Sequence, residues 1–188
     1  MSQAIRTCSK VASLVGELCR AVPGDPLAAV EVVDPASVPQ PYRRLLVHDS
    51  DMTSTLEDYY GEPIMLKVLN RVATPRWLAR RSVLELAESG TPVEYGLIRI
   101  DLAVLDEPIR RQVLDGELPL GGLLNTHGVV YRSCPGGFLR VEASGAMLRE
   151  FNLDRPARLY GRCNCLSDPL GKPIAEVIEI LPPEGNGE

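Results

Sequence analysis

The stretch from Pro92 to Leu124 constrains the fold of this chain more than any other. It opens with an apolar run of strand length, passes through an acidic turn into a helical pattern, and ends in a tight Leu-Pro-Leu-Gly-Gly corner. In the helical pattern, apolar residues recur at the spacing of an amphipathic helix, at Leu105, Ile109 and Val113. The stretch therefore predicts a fold that mixes α-helices and β-strands, and by itself it predicts no function.

Further strand-like and helical patterns lie on both sides of this stretch. Strands are predicted at 63–72, 79–87, 93–102, 129–132, 138–141, 158–166 and 174–181. Helical patterns occupy 42–47, 52–60, 105–114, 123–125 and 146–151. Because hairpin turns join most of the strands, the sequence predicts an α+β fold with a single, largely antiparallel sheet of about six strands and helices covering one face.

The N-terminal part of the chain differs from the rest. Residues 1–22 carry apolar side chains at helical spacing and predict an amphipathic helix, which Pro23 ends. Residues 23–41 contain five prolines and predict an extended, Pro-rich connector. The main domain is expected to cover 42–182, and 183–188 are expected to form a disordered tail. The N-terminal helix is expected either to pack on the main domain or to mediate an interaction.

Composition argues against several classes of partner. The 188 residues carry a net charge of −5 at pH 7, without the basic stripe of a nucleic-acid binder. No apolar run reaches the roughly 18 residues that a membrane-spanning helix needs. Glu17 interrupts the N-terminal apolar pattern, which argues against a secretory signal. The sequence predicts a cytoplasmic protein with no nucleic-acid or membrane partner, and it leaves the oligomeric state open.

The five cysteines lack the spacing of a disulfide framework, and their number is odd. Cys163 and Cys165 lie two apart on a predicted strand and therefore face the same side. Two thiolates are fewer than the four ligands of a structural zinc site. The favoured interpretation is that the thiols are reduced and pack as small apolar groups, and no metal is predicted.

Charged residues on otherwise apolar strands are the candidates for a functional site. Motifs of the Walker, GxGxxG, GxSxG and HExxH types are absent. A buried charged side chain needs a partner or a ligand. Arg80 shares its predicted face with more core-like residues than Arg81 does, and its planar guanidinium suits a carboxylate. The alternative for Arg80 is a structural salt bridge to Glu85 or Glu57.

Arg99 and two glutamates complete this set of charged strand residues. Arg99 lies in the middle of a strand, where it is expected either to bind a ligand or to pair with an acid such as Glu176. Glu176 and Glu179 lie three apart on the last strand and therefore face opposite sides of the sheet. Burial would raise the pKa of the carboxyl group that faces apolar surroundings, as a general acid requires near neutral pH. Alternation alone does not choose between the two glutamates.

Three uncharged residues are also candidates for ligand contact. Met52 stands near the start of a predicted helix, where core packing is the simpler interpretation. Leu120 and Gly121 lie in the Leu-Pro-Leu-Gly-Gly corner, where free backbone N–H groups could meet an anion. An ordinary turn explains that corner equally well.

Taken together, five segments within roughly 45–182 resemble the chorismate pyruvate-lyase family: DSDMTSTLE, RRSVLEL, LIRIDL, GELPLGGLL and GKPIAEVIEILP. The resemblance implies a chorismate lyase-like fold, with a ligand cavity closed by helical flaps. The residues that surround the bound aromatic acid in that family fall here on Met52, Arg80 or Arg81, Leu120, and Glu179 or Glu176.

The resemblance further implies a lyase that needs no cofactor. Arginine would hold a carboxylate while glutamate donates a proton to the breaking enolpyruvyl ether. Chorismate, or a related anionic aromatic-precursor acid, would then yield 4-hydroxybenzoate and pyruvate. Ile178 stands where the family typically has threonine, which leaves room for a sister group with another substrate. The alternative function is a non-catalytic domain that binds or senses an aromatic carboxylate on the same fold.

Overall fold

The computed structural model describes the backbone of residues 2–183 and the side chains of residues 9–183. The predicted tail, 183–188, lies outside this range except for its first residue. The described strands are β1 (Ala28–Val33), β2 (Ile64–Ala73), β3 (Trp77–Leu86), β4 (Pro92–Asp101), β5 (Arg132–Glu142), β6 (Arg158–Ser167) and β7 (Pro173–Leu181). The described α-helices are α1 (Ser2–Ala21), α2 (Tyr42–Leu46), α3 (Met52–Tyr60), α4 (Glu107–Asp115), α5 (Leu120–Thr126) and α6 (Ala146–Glu150).

The strands form one sheet in the order β1-β5-β6-β7-β4-β3-β2, and each neighbouring pair is antiparallel. The predicted α+β class and single antiparallel sheet are therefore confirmed. The sheet has seven strands where about six were expected. The extra strand, β1, lies inside the predicted connector, where the alternating segment Ala28–Val33 pairs with β5.

The β5 strand is longer than the sequence indicated. Short strands were predicted at 129–132 and 138–141, separated by Pro135-Gly136-Gly137. The structure instead has one continuous strand, Arg132–Glu142, with a register shift between Pro135 and Gly137. A β-bulge accommodates an extra residue without ending the strand, which explains why the Pro-Gly-Gly segment does not form a hairpin turn.

The central strands are apolar on both faces of the sheet. We call the face that carries Leu97 and Ile178 the α1 face, because α1 and α6 pack there. We call the face that carries Ile98 and Val177 the pocket face, because α4 and α5 pack there. The helices α2 and α3 cover another part of the pocket face. The prediction placed helices on one face only; the structure places them on both.

Helix α1 contributes a row of buried side chains to the core. Val11, Val15 and Leu18 pack against the α1 face of the sheet. Burying each such side chain stabilises the fold by roughly 1.5–3 kcal/mol relative to exposure. No helix within residues 2–183 is both long and apolar enough to span a bilayer.

Candidate functional site

A cavity of about 60 Å³ lies between the pocket face of the sheet and the N-terminal ends of α3 and α5. Strands β3, β4 and β7 form its floor. It is lined by Asp51, Met52, Thr53, Leu66, Arg80, Ser82, Leu84, Glu94, Gly96, Ile98, Pro119, Leu120, Gly121, Leu166, Val177 and Glu179. Apolar residues thus outnumber the polar ones, and the polar groups converge from three strands and from the N-terminal end of α3. This combination is typical of sites for small molecules.

Two glycines shape the cavity. Gly96 stands at the centre of the floor, where it pairs with Ser82 on one side and Glu179 on the other. A Cβ atom on Gly96 would lie 3.1 Å from Glu94 Oε1, so the missing side chain leaves space for that carboxyl group. Gly121 lets α5 approach α3 closely, because its own Cβ atom would lie 2.8 Å from Asp51 Oδ1. Gly96 thus leaves space above the sheet, and Gly121 lets the N-terminal ends of α3 and α5 lie close together.

Arg80 brings a positive charge without a carboxylate partner into the cavity. The residue is only 3% exposed, and its Nε and Nη1 atoms have no hydrogen-bond partner among the described side chains and backbone. Burial, with a smaller contribution from nearby Arg71, lowers the pKa of Arg80 to about 10. The guanidinium therefore remains charged at neutral pH. An unpaired buried charge is costly, and an anionic ligand would relieve that cost.

Glu179 also lines the cavity, but its carboxylate is held by Arg162. The Nε atom of Arg162 donates to Glu179 Oε2, and the arginine is completely buried. Arg162 also donates to the backbone carbonyl groups of Leu46, His48 and Ser50. The ion pair consequently ties the sheet to the segment between α2 and α3, which forms one side of the cavity roof.

Glu94 lines the cavity together with the carboxyl groups of Glu179 and Asp51, and its environment favours the protonated form. It is 5% exposed, and its Oε2 atom has no hydrogen-bond partner in the described structure. Burial raises the pKa of Glu94 well above 4.5, the nearby Glu179 raises it further, and Arg162 acts in the opposite direction. A protonated Glu94 can donate a hydrogen bond, which a carboxylate cannot do.

The structure brings five of the candidates from the sequence to this cavity: Met52, Arg80, Leu120, Gly121 and Glu179. Arg81, Arg99 and Glu176 lie on the α1 face and do not line it. Their separation follows from the strict alternation of side chains along β3, β4 and β7. The predicted salt bridge of Arg80 to Glu85 or Glu57 does not form; Glu85 pairs with Lys67 instead.

Arg99 and Arg81 each have structural partners on the α1 face. Of the two roles expected for Arg99, the structure shows the ion pair with Glu176, and Glu17 of α1 joins it. The guanidinium of Arg81 donates to the carbonyl groups of Cys19, Val22 and Asp25 and to the hydroxyl group of Tyr95. Arg99 thereby connects the sheet to α1, and Arg81 connects the sheet to the C-terminal end of α1 and to the residues that follow it.

Sequence reasoning missed two charged residues near the cavity, Glu94 and Arg162. Glu94 carries the signal that identified Arg80, namely a charged side chain within a largely apolar strand, whereas the strand of Arg162 also contains Arg158, Asn164 and Ser167. Glu94 lies near the start of β4, close to the hairpin turn, where an exposed carboxylate would be ordinary. Arg162 lies in the middle of β6, where burial should have been expected.

No protein-family model matches the chain, and no curated protein sequence matches it significantly. Similar solved structures include PhnF from Mycobacterium smegmatis, with a TM-score of 0.55 and 12% identity over 71% of this chain and 64% of that one. The chain thus spans less than two thirds of the length of PhnF. The ligand-binding domain of a protein assigned to the GntR family of transcriptional regulators, from Bordetella bronchiseptica, has a TM-score of 0.50 and 14% identity over 64% of this chain and 86% of that one.

These similarities concern the arrangement of the sheet and helices. The chain has the chorismate lyase-like fold. The fold expected from the resemblance in sequence is therefore confirmed. A shared fold does not assign an activity, since the same scaffold can carry different sites.

Proposed function

We propose that this protein is a small-molecule binding domain whose cavity takes an anionic ligand, with Arg80 as the group that holds the anion. The observation that carries the proposal is the buried guanidinium of Arg80, whose Nε and Nη1 atoms have no hydrogen-bond partner in the described structure. A guanidinium presents two edges of parallel N–H groups, Nε with Nη2 and Nη1 with Nη2, and either edge matches the two oxygen atoms of a carboxylate. Met52 and Leu120 would supply the apolar contacts of an aromatic or aliphatic body.

The comparison with solved structures supports a binding function over catalysis. The Bordetella bronchiseptica relative is itself described as a ligand-binding domain. The arrangement of the carboxyl groups also supports binding, because Glu179 is engaged by Arg162. In a binding domain, this buried ion pair has a structural task, which is to hold the roof of the cavity in place.

The size of the cavity indicates that the ligand must open it. Its volume of about 60 Å³ is well below the ~300 Å³ at which typical ligand pockets begin. An aromatic acid needs more space than this cavity offers. We infer that the ends of α3 and α5 separate when an aromatic acid enters, since these two helix ends form the roof.

Calorimetric titration with 4-hydroxybenzoate tests the proposal. The unmodified protein should bind this probe, and Arg80→Gln should lose at least tenfold in affinity, because the anion then lacks its counter-charge. Arg111→Gln is the matched control, since this exposed arginine of α4 pairs only with Glu107 in the described structure. Equal affinity of the Arg80 variant and the unmodified protein would contradict the proposed role of Arg80.

Catalysis by the same cavity is the second candidate function. The observation that favours it is a buried carboxyl group with a raised pKa, Glu94, in the same cavity as Arg80. Such a group could donate the proton that the enolpyruvyl ether of chorismate needs as pyruvate leaves. The resemblance in sequence assigns this task to Glu179 or Glu176, and Glu179, which lines the cavity, remains the other proposed donor.

Incubation with chorismate separates catalysis from binding. Formation of 4-hydroxybenzoate and pyruvate together would establish the lyase. Loss of the lyase activity in Glu94→Gln, with the activity retained in Glu176→Gln, would place the proton donor in the cavity. Measuring Glu179→Gln in the same assay would then show which of the two cavity carboxyl groups donates the proton. Binding of 4-hydroxybenzoate without turnover of chorismate would support the binding domain.

A further inference from the structure

Three of the cysteines meet on the α1 face, away from the cavity described above. Cys134 on β5 and Cys165 on β6 are direct partners in the antiparallel register. Both line a groove of about 450 Å³ that runs between α1 and the sheet, together with Cys163. The expectation that the thiols pack in the core therefore fails for Cys134, which is exposed.

The positions of Cys134 and Cys165 suit a disulfide. Directly opposite residues of an antiparallel pair have Cα atoms about 4.5 or 5.5 Å apart, depending on the hydrogen-bonding pattern. Either spacing lies within the roughly 4.4–6.8 Å that a disulfide can bridge. Both side chains point to the same face, as cross-strand partners must. Cys163 lacks such a partner, because Gly137 stands opposite it.

The three thiols also differ in how easily a reagent can reach them. Cys134 is exposed and Cys165 is half-buried, whereas Cys163 is fully buried. Burial, together with the carboxylate of Glu176, raises the pKa of Cys165. Burial raises the pKa of Cys163 to about 12. Because Cys134 is the exposed thiol of the three, it is the one that a dissolved hydroperoxide reaches first.

We propose that Cys134 and Cys165 form a redox-sensitive pair that a hydroperoxide converts into a disulfide. The thiolate of Cys134 attacks the peroxide, the O–O bond breaks, and the products are a sulfenic acid on Cys134 and one molecule of water or alcohol. The thiol of Cys165 then attacks that sulfur atom. The S–S bond forms, and a second water molecule leaves with the sulfenic oxygen. Two thiols are oxidised by two electrons, and the peroxide accepts both.

A metal site is the competing use of these thiols. Within residues 9–183, no group of three or more His, Cys, Asp or Glu side chains is arranged to hold a metal ion. The register pairs Cys165 with Glu176 on its other side, but this carboxylate is engaged by Arg99. The cross-strand geometry therefore favours a bond between the two sulfur atoms.

The pair lies next to contacts that reach the roof of the cavity. Ser133 and Asn164, the chain neighbours of the two cysteines, point to the opposite face of the sheet. The amide group of Asn164 donates to the hydroxyl oxygen of Ser133, and the Ser133 hydroxyl group donates to the carbonyl group of Ser50. A disulfide would fix β5 and β6 together one residue away from these contacts.

Treatment of the purified, fully reduced protein with hydrogen peroxide, followed by mass spectrometry, tests the proposal. We expect the intact mass to fall by about 2 Da for the loss of two hydrogen atoms. We also expect a non-reduced digest to contain the peptide of Cys134 linked to that of Cys165, and dithiothreitol to reverse both changes. The variant Cys163→Ser is the matched control and should form the same link.

The single variants Cys134→Ser and Cys165→Ser should not form this disulfide. In Cys165→Ser, a thiol trap such as dimedone should instead capture a sulfenic acid on Cys134. A link from Cys134 to any other cysteine in the unmodified protein, or oxidation of Cys134 to sulfinic acid with Cys165 still a free thiol, would overturn the pairing. These measurements need no ligand, so they stand independently of the proposed binding function.

Discussion

At the scale of single residues, the buried ion pair between Arg162 and Glu179 connects the floor of the cavity to its roof. Replacing Arg162 by leucine would leave the Glu179 carboxylate buried without its counter-charge and would remove the donors to Leu46, His48 and Ser50. Removing one partner of such a pair typically costs about 3–5 kcal/mol. We therefore expect Arg162→Leu to lower the free energy of unfolding in urea by that amount.

The matched control for Arg162 is another cross-strand arginine. Arg140 on the neighbouring strand β5 pairs with Glu31 of β1 at an exposed position. Exposed ion pairs contribute little because water screens them. Arg140→Leu should therefore change the stability much less than Arg162→Leu. Equal losses for the two variants would show that burial of the pair is not what makes Arg162 important.

Glu94 should make the stability of the protein depend on pH. Its pKa is raised in the folded state above the ordinary value of 4.5, so the folded protein holds the proton more tightly than the unfolded chain does. The contribution of this protonated group is fully present below pH 4.5 and is lost as the pH rises through the folded-state pKa. Each unit of pH within that window costs up to about 1.4 kcal/mol.

The variant Glu94→Gln isolates that dependence, because an amide has a similar shape and does not titrate in this range. Urea unfolding at a series of pH values from 4 upwards provides the comparison. We expect the unmodified protein to lose stability relative to Glu94→Gln as the pH rises. Parallel stability profiles for the two proteins would show that Glu94 is not buried as described.

At the scale of elements, the roof of the cavity depends on how closely α3 and α5 approach each other. A Cβ atom at Gly121 would lie 2.8 Å from Asp51 Oδ1 and 3.0 Å from Thr53 Oγ1, so Gly121→Ala would push the two helices apart. Overpacking of this kind typically costs about 1–3 kcal/mol. We expect a lower unfolding temperature for Gly121→Ala, measured by calorimetry.

The adjacent Gly122 provides the control within the same helix. Its Cβ atom would be in ordinary contact, 3.8 Å from Thr53 Cγ2. Alanine favours the helical conformation over glycine by about 1 kcal/mol. Gly122→Ala should therefore leave the unfolding temperature unchanged or raise it. A similar decrease for both variants would point to a general intolerance of α5 rather than to its contact with α3.

The same alternation that builds the sheet explains how much of the site the sequence could predict. Period-2 spacing separates Arg80 from Arg81 and Glu179 from Glu176, and the structure confirms that each pair is divided between the two faces. Alternation describes one strand at a time, so it could not show that Arg162 lies beside Glu179. That pairing depends on the register between β6 and β7, which the sequence does not reveal.

Longer-range packing also accounts for the elements that differ from prediction. The segment Ala28–Val33 alternates like a strand, but the prolines around it favoured a connector, and only pairing with β5 makes it a strand. The Pro-Gly-Gly segment in β5 carries the composition of a turn, yet β6 continues to pair along it. In both cases tertiary contacts override local preference, as is common for strands.

At the scale of the whole molecule, α1 helps to bury the second face of the sheet. Leu18 is 1% exposed and packs in the cluster that lies on the α1 face. Arg81 adds hydrogen bonds to carbonyl groups at the C-terminal end of the helix. These contacts predict that α1 unfolds together with the sheet as a single cooperative unit, rather than separating from it as an independent arm.

The variant Leu18→Ala tests this cooperativity. Truncating a fully buried leucine typically costs about 2–5 kcal/mol, and in a single unit the whole loss appears in the global transition. Far-ultraviolet circular dichroism reports on all secondary structure, and the fluorescence of Trp77 reports on the start of β3. We expect the unfolding midpoints from both signals to shift to the same lower urea concentration. Ser9→Ala, at an exposed position of α1, should shift neither. An early loss of helical signal in Leu18→Ala, with an unchanged fluorescence midpoint, would instead identify α1 as a detachable arm available for an interaction.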